Sequence, residues 1–149
     1  MGFKVVAVSR GPEKEADARK LGASEYYIDA SAGDPGQALR NLGSAKAALT
    51  TALSAEAMTP LIKGLNILGK LLILAIPGDV TIDTYEMIKY GISVQACPTG
   101  NASDSEKTFE FAARHGVSSI VQTFPLDKAQ EAYDTMVSGK AHYRSVIQF

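Results

Sequence analysis

The sequence contains no tryptophan, a single cysteine and no excess of charge of either sign: 15 Lys+Arg stand against 16 Asp+Glu, for a formal net charge of −1. Each shortage excludes something. Nucleic-acid binders carry a basic surplus to meet phosphates, and acidic disordered tails carry the opposite, so a partner held by bulk charge is not expected. Cys97 alone can form neither an intrachain disulfide nor a cysteine-rich zinc cluster, and a reducing, cytoplasmic setting follows as the simple expectation. The longest unbroken apolar run, Leu71–Pro77, is far short of the ~20 residues a membrane-spanning helix needs. The N-terminal run Phe3–Val8 is brief and ends in charged sequence instead of a small-residue cleavage site, so it reads as a strand and not as a signal peptide.

What is present fits a globular domain. The 149 residues are 46% hydrophobic and 21% charged, enough apolar material to fill one core. Strand-like apolar runs alternate with amphipathic stretches along the whole length, the pattern of a mostly parallel sheet built from βα units with helices on both faces. The β-branched run Phe3–Val8 predicts a strand buried on both faces. A helix over Pro12–Lys20 follows, with Pro12 in its first turn, basic Arg19 and Lys20 in its last and Gly22 as the stop.

Tyr26–Asp29 reads as the second strand. Asp34-Pro35 opens a helix, since the carboxylate accepts free N–H groups and proline is preset to a helical φ, and Leu39 and Leu42 form its apolar face. Ala45–Thr51 is the third strand. Ser54 caps a helix through Met58, Leu61, Ile62 and Leu65 in which Pro60 forces a kink or a later start. Lys70–Ile76 is the clearest strand, closed by the turn pair Pro77-Gly78, and a short helix over Tyr85–Tyr90 leads to the strand Ile92–Ala96.

Ser103 and Glu106 have capping-box spacing ahead of a buried stripe of Phe109, Ala112 and Ala113, which ends at His115-Gly116. Ile120–Phe124 and Val146–Phe149 read as strands around a helix of Leu126, Ala129, Ala132, Tyr133, Met136 and Val137, stopped by Gly139. No repeat, low-complexity tract or linker divides the 149 residues, so one domain is expected, with residues 119–149 as its return segment.

The tip of the first strand is the most informative place, because doubly wound sheets bind nucleotides beyond the carboxyl ends of their strands. It reads Ser9-Arg10-Gly11-Pro12-Glu13-Lys14. A hydroxyl at Ser9, a planar fork at Arg10 and a point charge at Lys14 suit a phosphate, and no carboxylate is expected at the tip to repel it. The bland alternative is a solvent-exposed turn.

Over essentially its entire length the chain resembles the C-terminal portion of the zinc-dependent alcohol dehydrogenases of the medium-chain dehydrogenase/reductase superfamily. The resemblance is carried by Lys4–Arg10, Ala18–Ser24, Leu49–Ser54, Gly69–Leu74, Phe124–Tyr133 and Ser138–Lys140, in that order and spacing. It implies a Rossmann-like fold that lacks its first βα unit. It also implies a preference for NADP(H) through Ser9, Arg10 and Lys14. By the same resemblance Thr51 and Ala52 lie near the pyrophosphate and nicotinamide, Ile76 and Pro77 close to the nicotinamide, and Arg144 at a pyrophosphate-binding position. Family dimers pair the edge strand matching Ile92–Ala96, a run without guarding charges, so a homodimer is expected.

The Gly-x-Gly-x-x-Gly turn that cradles the pyrophosphate is missing, since Gly33 and Gly36 follow no strand directly. Cys97, His115 and His142 have no chelating spacing, so no metal ligand is assigned. Cys97 is expected as a buried strand thiol and His115 as a charge at a helix C-terminus. Ser54 is in no nucleophile elbow, and no catalytic residue is assigned.

Three functional readings stay open. The first is the NADP(H)-binding part of an alcohol dehydrogenase, which binds weakly and is inactive in redox work by itself. The others are a non-redox enzyme and a binding or structural module. The strand absent from the middle of the sheet leaves two expectations: Phe3–Val8 and Ala45–Leu49 close on each other, or another chain supplies a strand.

Overall fold

The computed structural model describes residues 2–23 and 26–149. Met1, and Ser24 at the end of the Ala18–Ser24 motif, lie outside the described residues. The chain divides into two compact units, Met1–Pro98 and Thr99–Phe149. Its folding is the mixed α/β, parallel-strand arrangement of Rossmann-like cofactor-binding domains.

The first unit opens with β1 (Val6–Ser9), which pairs in parallel with β2 (Tyr26–Asp29) in the register Val6↔Tyr26 to Ser9↔Asp29. Between them lie a 3-10 turn at Pro12–Lys14 and helix α1 (Glu15–Lys20). The expectation of a strand from Phe3 buried on both faces is corrected: β1 is half-buried, and Phe3 stays 75% exposed. The ladder begins only at Val6, opposite Tyr26, so Phe3 has no strand beside it.

Helix α2 (Pro35–Asn41) starts as its sequence dictates, with the Asp34 carboxylate accepting from the N–H groups of Gly36 at 2.8 Å and Gln37 at 3.2 Å. β3 (Ala45–Thr50) follows, then the short α3 (Ala55–Met58), which passes into a 3-10 helix over Thr59–Gly64 where Pro60 interrupts the α-helical ladder. Ser54 stands at the N-cap position, but its side chain makes no capping bond. Glycine is needed where α2 meets the 3-10 helix: a Cβ on Gly36 would run into the Pro60 carbonyl, and one on Gly64 would stand 2.7 Å from Leu39 Cβ.

β4 (Leu65–Ile73) begins earlier than its sequence suggests and ends before Ile76. Leu65 therefore leaves the helix for the strand. The regular ladder still starts at Lys70, paired with Ala47 of β3, because Leu68 takes a left-handed φ of 56° and the register shifts there. Helix α4 (Thr84–Tyr90), capped by Asp83, leads to β5 (Ser93–Ala96), which pairs in parallel with β4 from Lys70↔Ser93 to Ile73↔Ala96. Ile28, Leu39, Leu61, Ile62, Leu65, Leu71 and Ile92 form the core, with Val6, Val8 and Ala48 packed against it.

The two ladders of this unit stay separate. β1 pairs only with β2, and β3 is the outer strand of the order β3-β4-β5. Direct closure of Phe3–Val8 onto Ala45–Leu49 thus does not form among the described residues. In a doubly wound sheet of order 3-2-1-4-5-6, these two edges flank the central strand.

In the second unit, α5 (Ala102–His115) is capped by Asn101, not Ser103. Asn101 Oδ1 accepts from the Asp104 N–H at 3.1 Å, and Asp104 Oδ2 accepts from the Asn101 N–H at 3.0 Å, so the box forms two residues early. Gly116 ends the helix in a left-handed conformation, beside a Phe111–His115 ring contact of 4.2 Å. The buried stripe is corrected: α5 buries no residue, and Phe109 is 76% exposed. Its periodicity marks an apolar face, not a covered one. β6 (Val121–Pro125), a 3-10 turn at Leu126–Lys128, α6 (Ala129–Val137) and β7 (Arg144–Gln148) complete the unit, with β6 and β7 parallel.

Candidate functional site

Within the first unit, the candidate residues lie at or just after the ends of parallel strands, on two separate ladders. Ser9 is the last residue of β1 and half-buried; Arg10 and Lys14 follow it, both exposed. Among the described residues no hydrogen bond or ion pair engages the side chains of Ser9, Arg10 or Lys14. The backbone beneath them is tied to β2. The Ala30 N–H donates to the Ser9 carbonyl at 2.8 Å, the Gly11 N–H donates to Asp29 Oδ1 at 2.9 Å, and the Tyr27 hydroxyl donates to the Gly11 carbonyl at 2.5 Å.

A carboxylate does stand at this tip, contrary to the sequence expectation. Asp29 ends β2 opposite Ser9, and its Oδ1 also accepts from the Ser31 N–H at 2.8 Å and the Ser31 hydroxyl at 2.6 Å. The Ser31 hydroxyl, then the Ser31 and Gly11 N–H groups, hold its pKa below the ordinary 3.8, so it is ionised at neutral pH. Glu13 is a second carboxylate nearby, folded against Gly11, where a Cβ would collide with it. An open cavity of about 300 Å³ beyond β2 is lined by Tyr27, Asp29, Gly33, Asp34 and Ala38 among others.

Thr51 and Ala52 follow β3, and Ile76 and Pro77 follow β4. The Leu74 N–H donates to the Thr50 carbonyl at 2.9 Å, which joins these two strand ends. Thr51 is exposed, Ala52 and Pro77 are half-buried, and Ile76 is 91% exposed. Arg144 opens β7 in the second unit, exposed and opposite Val121.

Cys97 lies one residue past β5 and is exposed, which corrects the buried strand thiol. Its N–H donates to the Ile73 carbonyl at 2.9 Å, so the ladder continues in the backbone while the edge position leaves the side chain open. No three His, Cys, Asp or Glu side chains converge as a metal ion requires among the described residues. These residues do not fit a zinc ion. No helix among them is long and apolar enough to cross a membrane.

Sequence reasoning missed Tyr27 and Asp29. The one local signal was the Asp29-x-Ser31 spacing, which favours a turn in which the carboxylate accepts from the residue two further on. The grip on Gly11, 18 residues away from Asp29, has no signature in the chain.

Parallel strands with polar side chains gathered at their carboxyl ends, and helices between them, define the α/β class of Rossmann-like cofactor-binding domains. The chain belongs to the zinc-binding dehydrogenase family, whose profile matches residues 1–142. It is 52% identical over 147 residues to alcohol dehydrogenase notN of Aspergillus sp. (strain MF297-2), covering 99% of this chain and 43% of that protein. It is 46% identical over 146 residues to alcohol dehydrogenase patD of Penicillium expansum, covering 98% of this chain and 43% of that protein. The chain thus spans under half the length of the curated relatives it matches. Among solved structures, the alcohol dehydrogenase of the hyperthermophilic archaeon Aeropyrum pernix superposes with a TM-score of 0.84 at 22% identity, over 97% of this chain and 42% of the other. Benzyl alcohol dehydrogenase of Acinetobacter calcoaceticus gives 0.84 at 19% identity, over 99% and 43%. At these identities the structures establish the fold.

Proposed function

We propose that this chain is the NADP(H)-binding part of an alcohol dehydrogenase-type oxidoreductase. The observation that carries the reading is the tip of β1, where Ser9 and Arg10 leave their side chains uncommitted on a turn whose backbone is already fixed. The Ser9 hydroxyl and the Arg10 guanidinium would hold the 2′-phosphate, and Lys14 adds a cation one turn on. Thr51 and Ala52 serve the pyrophosphate and nicotinamide end, and Ile76 and Pro77 form an apolar surface for the nicotinamide. When bound, the nicotinamide supplies a two-electron hydride acceptor for an alcohol carbon, or a donor for an aldehyde. No residue of this chain is assigned to the bond-making step, and the zinc of the family has no ligand set among the described residues.

Binding by this span alone is weak, because the glycine turn that cradles the pyrophosphate is not in the sequence. Among the described residues the outer edge of β5 has no strand partner and no charge, which supports a homodimer through Ile92–Ala96; a monomer mass in solution at micromolar concentration would overturn that. One cysteine and the lack of a long apolar helix among the described residues suit a cytoplasmic protein.

Calorimetric titration with NADPH and NADH tests the reading. NADPH binds more tightly, and Arg10→Ala removes the difference. Equal affinities in the parent chain, or NADPH binding undiminished by Arg10→Ala, would overturn the 2′-phosphate assignment. Absence of binding by either nucleotide would favour a binding or structural module.

A further inference from the structure

We propose that Tyr27 and Asp29 are positioning residues for the phosphate-facing turn: they grip Gly11 by both of its backbone groups and so fix the base from which Ser9 and Arg10 present their side chains. The functional half of this inference rests on the NADP(H) reading above. The grip itself rests on geometry alone.

Residues 27 and 29 project from the same face of β2, because side chains alternate along a strand. That face meets Gly11. Asp29 takes its N–H at 2.9 Å while Tyr27 donates to its carbonyl at 2.5 Å, so both backbone groups of Gly11 are tied to β2. The Asp29 carboxylate is itself oriented by the Ser31 N–H and hydroxyl at 2.8 and 2.6 Å. Gly11 has φ 84° and ψ 142°, a backbone conformation open to glycine and strained for other residues. One residue earlier, the Ser9 carbonyl accepts from the Ala30 N–H at 2.8 Å. Arg10 is therefore fixed at its backbone on both sides, while its long side chain stays free.

Such a turn lowers the ordering cost of binding, since only the Arg10 side chain and the Ser9 hydroxyl have still to be immobilised when an anion arrives. The Asp29 charge acts in the opposite sense by repelling a phosphate. It is half-buried, and the water and salt that still reach it weaken that repulsion, so the positioning effect dominates. Asp29→Asn separates the two effects, because it removes the charge and keeps an acceptor oxygen at the same place.

Two readouts on the full 149-residue chain decide the matter. Amide hydrogen exchange at Gly11 rises about tenfold in Asp29→Ala and stays near the parent rate in Asp29→Asn. Affinity for NADPH relative to NADH falls about fivefold in Asp29→Ala and about threefold in Tyr27→Phe, whereas Asp29→Asn keeps the parent ratio or raises it, since the acceptor stays and the repulsion goes. Gly11 exchange equally fast in the parent and in Asp29→Ala would overturn the grip. A nucleotide preference that survives both Asp29→Ala and Tyr27→Phe but is lost in Arg10→Ala would overturn the positioning role. Faster Gly11 exchange in Asp29→Ala together with equal NADPH and NADH affinities in the parent would overturn the NADP(H) reading and uphold the grip.

Discussion

The two units of the chain use apolar side chains differently. In Met1–Pro98, Met58, Ile62, Leu65 and Leu71 lie within 0–2% exposure, and further aliphatic residues pack around them. In Thr99–Phe149, Phe124 and Ala132 are the buried hydrophobic residues among those described, and α5 places none of its apolar side chains inside. Both stretches carry convincing amphipathic periodicity. Periodicity thus reports which face of an element is apolar, whereas burial depends on what the rest of the fold brings against it.

In the first unit Leu71 is fully buried at the centre of the β3-β4-β5 ladder. Leu71→Ala is expected to destabilise the first unit by about 2–5 kcal/mol through lost transfer energy and a residual cavity, read from urea denaturation. Gly36→Ala comes next, because its Cβ would meet the Pro60 carbonyl of a 3-10 helix that cannot easily retreat. The expected loss is about 1–3 kcal/mol, and an unchanged midpoint would show that α2 can shift away.

Acid titration gives a smaller effect at the edge of the same unit. The folded pKa of Asp29 lies below its ordinary 3.8, so its stabilisation is present above that value and is lost as pH falls through the folded one. The stability difference between the parent and Asp29→Asn should accordingly close below about pH 4. A difference independent of pH would show that the charge contributes nothing there. The smallest effect belongs to the second unit: Phe109→Ser should change stability by no more than about 0.5 kcal/mol, since the ring is 76% exposed. A large loss would show that a covered face exists in solution.

Features set by nearest neighbours were legible in the sequence. Asp34-Pro35 opens α2 as cap chemistry requires, Tyr26–Asp29 is a strand with the expected limits, and Gly116 stops α5. Features set at long range were not. β4 starts at Leu65 because β3 offers a partner at Ala45, and Leu68 turns left-handed to absorb the resulting register shift. One local feature was also missed: Asn101 takes the place of Ser103 as the cap through a reciprocal bond with Asp104, three residues on, that either residue type could have formed.

The site divides in the same way. Ser9 and Arg10 could be read from their place after an apolar run, and family resemblance supplied Thr51, Ala52, Ile76, Pro77 and Arg144. The Tyr27 and Asp29 grip could not be read, because it joins residues 16 and 18 positions apart through atoms whose meeting depends on the β1–β2 register.

The separation of the β1–β2 ladder from β3-β4-β5 has a practical consequence for anyone making this span on its own. Among the described residues neither β1 nor β3 has a strand paired along its second edge, the kind of template on which extended peptides add. Yield and shelf life will therefore be governed by concentration and by how fast nascent chains meet one another. A holdase during expression, or a charged substitution along the β3 margin, addresses that hazard more directly than any gain in core packing.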